Sequence, residues 1–322
     1  MRMLYVTSAV QDGGVYTVQF DETSGKMTVK GFRKLGNCQY CIASEGRLYV
    51  VRRAGEDGNG SFLDVLDILP DGSLSDVTEE LDTKLPGVCH LCRYQGSTYI
   101  AHYRAGALMK APDQVLQFTG HGSNPKRQEK PHDHFVAVTP DQKYLVTTDL
   151  GTDTVYVVSP DLSIVSKAHT LRGQGPRHLV FSEDGKYCYV LTEMGSAVDV
   201  FSYEDGRLTF ITAYDALPLD YDGESIAAAI RLYRGRLYTT NRGHQSVAVF
   251  DVNGKDLKLA GIYPCGGEWP RDMNITDDWV IVANEEGHTV NLLKIEADGS
   301  LRLSEEKLDI QAPMCVCIGE GT

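Results

Sequence analysis

The chain has 322 residues, of which 42% are hydrophobic and 23% charged, a composition typical of globular proteins and sufficient for one large all-β domain or two smaller domains. Its net charge of −13 repels polyanions, so we expect neither nucleic acid nor an acidic membrane surface as a partner. No apolar run reaches membrane-spanning length, and the first residues, MRMLYVTSAV, lack the features of a signal peptide, so we expect a cytoplasmic protein.

The N-terminal part alternates β-branched and aromatic residues with polar ones, and glycine-containing turns interrupt this alternation. A period of two broken by such turns is typical of antiparallel hairpins and not of helices. The predicted strands here are Met3 to Ser8, Gly14 to Phe20 and Lys26 to Val29.

The stretch from Gly173 to Leu208 contains strands separated by a Glu183-Asp184-Gly185 turn, a tight corner and an Asp205-Gly206 turn, and related units recur along the chain. One such unit cannot bury its own apolar faces, so copies must stack against each other. The six units contain these predicted strands: Cys38 to Ala43, Arg47 to Arg52 and Phe62 to Ile68; Ser97 to His102; Val155 to Val158; Lys186 to Leu191 and Val198 to Tyr203; Ile226 to Leu232, Gly235 to Thr240 and Val247 to Val252; Trp279 to Ala283 and Val290 to Ile295.

One strand, Met314 to Ile318, remains after the sixth unit. Together with the three N-terminal strands it completes a further four-stranded sheet, which removes the open edges. The sequence therefore predicts an all-β, seven-bladed β-propeller in which residues 1–322 form a single domain, and its last blade combines three N-terminal strands with one C-terminal strand. The polar span from Gly120 to Lys130 is interpreted as a surface loop, since the repeat resumes after it.

Two Cys-x-x-Cys pairs, Cys38/Cys41 and Cys89/Cys92, could suggest zinc or redox chemistry. Both pairs lie in predicted strands, where residues three apart point to opposite faces and cannot converge on one ion. We interpret these cysteines as small buried hydrophobes.

Equivalent positions in the repeats carry charged and ionisable residues. In a propeller the innermost strands line one central channel, so equivalent positions project into a shared space. The head of the inner strand holds His90, His134, Arg177, an alanine near Ala227, Arg271 and Met314. The corner after the second strand holds Leu150, Glu193, Arg242 and Glu285, with Tyr103 as the equivalent in the second unit.

A single residue at such a corner is most simply a solvated charge. The set is different, because three arginines gathered in an acidic protein create a positive focus suited to a phosphate or carboxylate. Histidine can move a proton near neutral pH. His132 and His134 would share one strand face, and Asp149 could add a carboxylate, but a metal site is the less favoured interpretation and we expect neither metal nor cofactor.

Several segments resemble a known family: PHDHFVAVTPDQKYLVTTDLGTDTVYVV, GPRHLVFSEDGKYCYVLTEMGSAVDVF, LYTTNRGHQSVAVF and WPRDMNITDDWVIVANEEGHTVNLLKI. They are similar to the seven-bladed propeller lactonases, a family that includes propeller-type 6-phosphogluconolactonase and the fungal 3-carboxy-cis,cis-muconate lactonizing enzyme. The likeness covers nearly the whole chain, and the Pro-Arg-His, Asn-Arg-Gly-His and Pro-Arg-Asp elements carry most of it. One departure is Ala229, where many members have an acidic residue.

The resemblance implies chemistry on a small anionic substrate, a phosphorylated or carboxylated lactone. The leading hypothesis is hydrolysis of 6-phosphogluconolactone to 6-phosphogluconate, a step of the pentose phosphate pathway. The implied catalytic residues are His134, Arg177, Glu193 and Arg242, with either Glu193 or His134 as general base. The expected substrate-binding residues are His90, Arg271, Glu285 and Tyr103.

Two alternatives stay open at this point. A cycloisomerase acting on a carboxylated muconate would use the same arginines for carboxylates. A propeller that serves as a non-catalytic binding module would have a broad apolar or charged face and no affinity for small anions.

Overall fold

The structure, a computed structural model, describes residues 1–55 and 59–319. These residues form seven four-stranded antiparallel sheets, the blades of the predicted seven-bladed propeller. Apart from strands, the described residues contain a 3-10 turn at Leu150–Thr152 and no helix long and apolar enough to cross a membrane. The all-β prediction is confirmed.

The chain forms two compact units, one made of Met1–Val88 and Tyr263–Thr322 and the other of Cys89–Ile262. The boundaries fall at the start of one strand, Val88–Tyr94, and near the end of another, Asp256–Pro264. The single-domain interpretation of residues 1–322 stays a prediction, and each unit is described by itself below.

The first unit contains three sheets. We name them the composite blade, blade 1 and blade 6. The composite blade consists of β1 (Arg2–Ser8), β2 (Gly14–Phe20), β3 (Met27–Lys34) and β28 (Pro313–Ile318); blade 1 of β4 (Asn37–Ser44), β5 (Arg47–Ala54), β6 (Gly60–Ile68) and β7 (Leu74–Asp82); and blade 6 of β24 (Pro270–Ile275), β25 (Trp279–Asn284), β26 (Thr289–Ile295) and β27 (Leu301–Asp309).

The second unit contains four sheets, named blades 2 to 5. Blade 2 consists of β8 (Val88–Tyr94), β9 (Ser97–His102), β10 (Ala107–Lys110) and β11 (Gln114–Gln117); blade 3 of β12 (Asp133–Val138), β13 (Leu145–Asp149), β14 (Thr154–Val158) and β15 (Ile164–His169); blade 4 of β16 (Pro176–Phe181), β17 (Tyr187–Thr192), β18 (Ala197–Glu204) and β19 (Arg207–Asp215); and blade 5 of β20 (Ile226–Tyr233), β21 (Arg236–Arg242), β22 (Ser246–Asn253) and β23 (Asp256–Pro264).

The composite blade joins the two ends of the chain as predicted. Its strand order is β28-β1-β2-β3, and β28 pairs antiparallel with β1 through partners such as Val6 and Val316. Trp279 of blade 6 packs in the same apolar cluster as Phe20 and Met27. The Nε1 of Trp279 also donates to the main-chain oxygen of Glu22 at 2.8 Å.

Alternation along the strands explains how the blades of the second unit pack. In β17, Val190 belongs to the apolar cluster shared with blade 3, whereas its neighbours Tyr189 and Leu191 belong to the cluster shared with blade 5. Successive side chains of a strand point to opposite faces, so one strand serves two cores. Full burial of one such side chain stabilises the fold by about 1.5–3 kcal/mol.

The hairpin between β18 and β19 shows why an Asp-Gly dipeptide closes these blades. Asp205 has φ 41° and Gly206 has φ 80°, and Glu204 pairs directly with Arg207 across the two-residue turn. Turns of this kind require positive φ at both central positions. A Cβ on Gly206 would also lie 2.8 Å from the ring of Tyr144, so glycine is required here for space as well.

The cysteines are free thiols, and Cys38 and Cys41 are buried as expected, whereas Cys89 and Cys92 are only partly buried. The argument from strand alternation was wrong for Cys38 and Cys41, since both lie in one apolar cluster together with Cys315 and Cys317. The reason is a register shift between Cys38 and Tyr40, which interrupts the alternation.

Candidate active site

Two of the side chains predicted at the heads of the inner strands, those of His134 and Arg177, lie on β-bulges. The register shifts between Asp133 and Phe135 in β12 and between Pro176 and His178 in β16, so His134 and Arg177 are the extra residues. A bulge leaves its extra residue outside the ladder and re-aims its side chain. In β20 the shift spans Ala228 and Ala229.

The second set of predicted residues lies at the end of the second strand in each blade. Arg242 is the last residue of β21, and Glu193 follows β17 directly. Glu193 is fixed by its main chain, because its N–H donates to Gly175 O at 2.7 Å and its carbonyl accepts from Ala227 N at 2.9 Å. The corner of blade 4 is therefore attached to the first strand of blade 5.

Glu193 is the centre of a buried ionic cluster in the second unit. Its Oε2 accepts from Arg177 Nε at 3.0 Å and from Arg242 Nη2 at 2.7 Å. Its Oε1 accepts from Nη2 of Arg127. The structure thus brings Arg177, Glu193 and Arg242 together, as the equivalent positions predict.

The main chain of blade 5 supports the two buried arginines. Arg177 Nη1 donates to the carbonyl of Ala228, and Arg242 Nη2 donates to the carbonyl of Ala227 at 2.8 Å. Ala229 is fully buried, and its N–H donates to Thr240 Oγ1 at 2.9 Å. Ala227 and Ala228 thus hold the guanidinium groups through their main-chain oxygens, and Ala229 places a small side chain at the position of the family's acidic residue.

The charge of Glu193 is set by its neighbours. Burial alone would raise the pKa of this carboxyl, but Arg242, Arg177 and Arg127 together hold the pKa well below its ordinary value. Glu193 is therefore ionised at neutral pH and accepts three guanidinium hydrogen bonds. Three arginines around one carboxylate leave two net positive charges in this buried cluster.

Three buried histidines lie beside the cluster. The ring of His178 is 5.4 Å from that of His134 and 5.5 Å from that of His90, and Phe135 contacts both His90 and His178. Burial, helped by the charge of Arg177, lowers the pKa of His90 and of His178 well below the ordinary value. His178 is thus neutral, and its Nε2 accepts a hydrogen bond from Arg177 Nη1 at 3.1 Å.

Arg127 is a site residue that the sequence interpretation missed. It lies in the span 120–130, whose polar composition indicated only a surface loop. Its Nη2 also contacts Tyr103 Oη at 3.4 Å, and the Tyr103 ring stacks on His132 at 4.3 Å. The predicted residue Tyr103 therefore reaches the Glu193 cluster through Arg127, and its ring lies 5.7 Å from that of His134.

Arg271 and Glu285 belong to the first unit. Arg271 is the bulge residue of β24, Glu285 follows β25, and the two side chains pair at 3.3 Å. Blade 1 carries polar residues at the same positions, Gln39 on its bulge and Arg53 at its corner. Sequence comparison of the units missed Gln39 and Arg53, although the paired registers make them equivalent.

The metal interpretation finds little support around His132. Asp149 accepts hydrogen bonds from His132 N, Gly151 N and Thr152 Oγ1. His132 places Nδ1 2.9 Å from Tyr103 O and Nε2 3.2 Å from a Glu129 carboxylate oxygen. Within residues 1–55 and 59–319, no group of three or more His, Cys, Asp or Glu side chains is arranged to hold a metal ion.

Comparison with known proteins places these residues in a family. Residues 3–318 match the family model described as Lactonase, 7-bladed beta-propeller. An uncharacterized protein of Staphylococcus saprophyticus is 36% identical, and the match covers 85% of each chain.

Solved structures agree with the fold. A candidate 6-phosphogluconolactonase of Bacteroides uniformis superposes with a TM-score of 0.89 at 26% identity, covering 99% of this chain and 100% of that one. The periplasmic gluconolactonase PpgL of Pseudomonas aeruginosa superposes with a TM-score of 0.90 at 22% identity, covering 99% of both chains. The chain therefore belongs to the seven-bladed β-propeller lactonase family.

Proposed function

We propose that the protein hydrolyses the lactone of an anionic sugar acid, with 6-phosphogluconolactone as the substrate and 6-phosphogluconate as the product. Membership of the lactonase family supports the reaction class. The likeness to a candidate 6-phosphogluconolactonase supports this choice of lactone. The observation that carries the proposal is the group of three arginines on Glu193, since it concentrates positive charge in a protein of net charge −13.

In this mechanism the buried arginines stabilise the transition state. Attack of water on the lactone carbonyl moves negative charge onto the carbonyl oxygen, and preorganised donors in a water-poor site stabilise that charge most effectively. Arg177 and Arg242 are held in place by Glu193 and by main-chain oxygens before substrate arrives. They are the proposed oxyanion-stabilising groups.

His134, and not Glu193, is the proposed general base. A carboxylate that is strongly acidic and already accepts three guanidinium hydrogen bonds is a poor proton acceptor. His134 takes a proton from the attacking water, the ring C–O bond breaks after the tetrahedral intermediate forms, and the resulting imidazolium returns the proton to the leaving ring oxygen. Glu193 then serves to position Arg177 and Arg242.

The test measures loss of 6-phosphogluconolactone against its spontaneous hydrolysis. The wild-type protein is expected to accelerate the loss, and Arg177→Ala to reduce kcat by about 10²–10³-fold, as for removal of an oxyanion donor. A matched control is Arg236→Ala, because Arg236 pairs with Asp251 at 2.8 Å at a partly exposed position. Wild-type protein that does not exceed the spontaneous rate would refute the proposal, and turnover of a carboxylated muconate instead would favour the cycloisomerase.

A further inference from the structure

Arg127 differs from the other two arginines on Glu193 in its access to solvent. The side chains of Arg177 and Arg242 are each 3% exposed, whereas that of Arg127 is 36% exposed. A ligand that approaches from solvent therefore reaches Arg127 before either buried guanidinium. We infer that Arg127 binds the phosphate group of the substrate and determines the preference for phosphorylated over neutral lactones, an inference that rests on the proposed function.

The contacts of Arg127 leave donors for such a group. Among the described residues, the hydrogen bonds of its guanidinium go from Nη2 to Glu193 and Tyr103. The N–H groups on Nε and Nη1 remain to donate to a ligand. A guanidinium presents its donors in a planar fork that matches two oxygens of a phosphate or carboxylate.

Tyr103 can add a further hydrogen bond beside Arg127. Burial, in addition to the charge of Glu193, raises the pKa of Tyr103, so the phenol keeps its proton at neutral pH. Its ring is held by stacking on His132 at 4.3 Å with an interplanar angle of 16°. A phosphate seated on Arg127 therefore lies next to a fixed neutral hydroxyl.

The loop that carries Arg127 is held before any ligand binds. Gln128 is 1% exposed, and its Nε2 donates to Leu150 O at 2.9 Å and to Asp153 Oδ1 at 2.6 Å. Asn124 Oδ1 accepts from the N–H of Arg127 at 3.2 Å. Binding an anion to a loop that is already ordered avoids the entropy cost of ordering it.

The charge of the cluster suits a dianion. Arg127, Arg177 and Arg242 supply three positive charges, and the ionised Glu193 supplies one negative charge. The remaining two positive charges match a phosphate monoester, which carries −1.5 to about −2 near neutral pH. A neutral lactone gains nothing from this excess positive charge. Comparison of the phosphorylated with the neutral lactone therefore separates phosphate binding from effects on the hydrolysis step.

The experiment compares wild type with Arg127→Ala and Arg127→Lys on 6-phosphogluconolactone and on uncharged glucono-δ-lactone. For the phosphorylated lactone, Arg127→Ala is expected to raise KM by about 10–100-fold, as for loss of one charge-assisted hydrogen-bonding group, and to leave kcat nearly unchanged. The parameters for the neutral lactone should change little. The KM of Arg127→Lys for the phosphorylated lactone should lie between those of wild type and Arg127→Ala, because lysine keeps the positive charge but lacks the planar fork of donors.

Lys126→Ala is the matched control, because Lys126 is the exposed neighbour in the same loop. It should behave as wild type with both lactones, and thermal denaturation should show all variants folded. An equal loss of kcat/KM on both lactones, or a fall in kcat with KM unchanged, would overturn the inference. Either result would show that Arg127 only holds Glu193 in place.

Calorimetric titration with inorganic phosphate and with 6-phosphogluconate separates this inference from the proposed function. If the wild type hydrolyses no lactone but binds both anions, and Arg127→Ala weakens binding at least about 10-fold, Arg127 is an anion-binding residue and the proposed reaction is wrong. If the wild type binds neither anion, the inference about Arg127 fails even when lactone hydrolysis is observed.

Discussion

Arg177 and Arg242 come from different blades and donate to the same carboxylate oxygen, Oε2 of Glu193, at 3.0 and 2.7 Å. Both guanidinium groups are also hydrogen bonded to the main chain of blade 5. One carboxylate thus sets the distance between two buried cations. This relationship makes Glu193 a residue whose removal affects stability and catalysis together.

Replacing Glu193 with Gln should destabilise the protein by about 3–5 kcal/mol, because it leaves two buried arginines without their counter-charge. The folded pKa of Glu193 is depressed, so its stabilisation is fully present above the unfolded carboxyl pKa of about 4.3 and is lost as pH falls through the folded value. Urea denaturation from pH 7 to pH 3 should show a constant difference from wild type above about pH 5 and a smaller one at the acid end. Glu79→Gln, at an exposed ion pair with Arg47, is the control. A difference that grows on acidification would contradict the assignment.

Replacing His134 with Ala should reduce kcat by about 10²–10⁴-fold with little change in KM, as expected for loss of a general base. A pH-stat assay at neutral pH measures both parameters. His169→Ala, at an exposed histidine of β15, should keep the wild-type kcat and KM. An unchanged kcat in His134→Ala would point to another base.

Asp199 should make the protein less stable as pH rises from about 4 to about 6. Burial, reinforced by the charge of Asp153, raises the pKa of Asp199 to about 6. The folded state therefore binds more protons than the unfolded state in this window, and stability falls as the carboxyl ionises. Asp199→Asn should gain up to about 3 kcal/mol over wild type at pH 7 and nothing at pH 4, measured by urea denaturation. A difference that is independent of pH would show that Asp199 is not titrating there.

Asp153 should hold the loop of Arg127 in place. Its carboxylate accepts from Gly173 N at 2.7 Å, from Gly175 N at 2.9 Å and from Gln128 Nε2 at 2.6 Å. Asp153→Asn should cost about 1.5–3 kcal/mol, and because Asn also tolerates the φ of 54°, the loss reports on the charge and not on the backbone.

Hydrogen exchange measures the local effect of this change. Amides in residues 120–130 should exchange faster in Asp153→Asn, and those of β25 should not change. Asp161→Asn, at an exposed turn where Ser159 donates to the carboxylate, is the control. Unchanged exchange in residues 120–130 would remove Asp153 from this role.

The fold was predictable because its signals are local. Turns such as Asp205-Gly206 and the alternation of residues in β17 mark hairpins, and the leftover strand β28 identified the composite blade. The third N-terminal strand was predicted to end at Val29 but extends to Lys34, since a register shift between Val29 and Gly31 interrupts the alternation. The repeat also placed Arg177, Glu193 and Arg242 at equivalent positions, which is why their proximity could be expected.

The remaining features depend on contacts that a local pattern does not encode. A bulge shifts the register by one residue, and nothing in the sequence around Cys38 or His134 marks that shift. Arg127 donates a hydrogen bond to Glu193, which lies 66 positions away in the sequence. The polar composition that indicates a solvated loop also includes the guanidinium that binds Glu193. In the sequence, Ala229 indicates the loss of an acidic side chain that many family members have. In the structure, the main-chain oxygens of Ala227 and Ala228 accept hydrogen bonds from the buried arginines.

The order in which the ribosome releases the chain bears on the composite blade. β1 leaves the exit tunnel long before one of its two partners, β28, has been made. Until then the N-terminal hairpins carry an unpaired edge that a chaperone or another nascent chain could occupy. This sheet is consequently completed only after Pro313–Ile318 has been made, and premature termination before Pro313 would release a product with that edge permanently open.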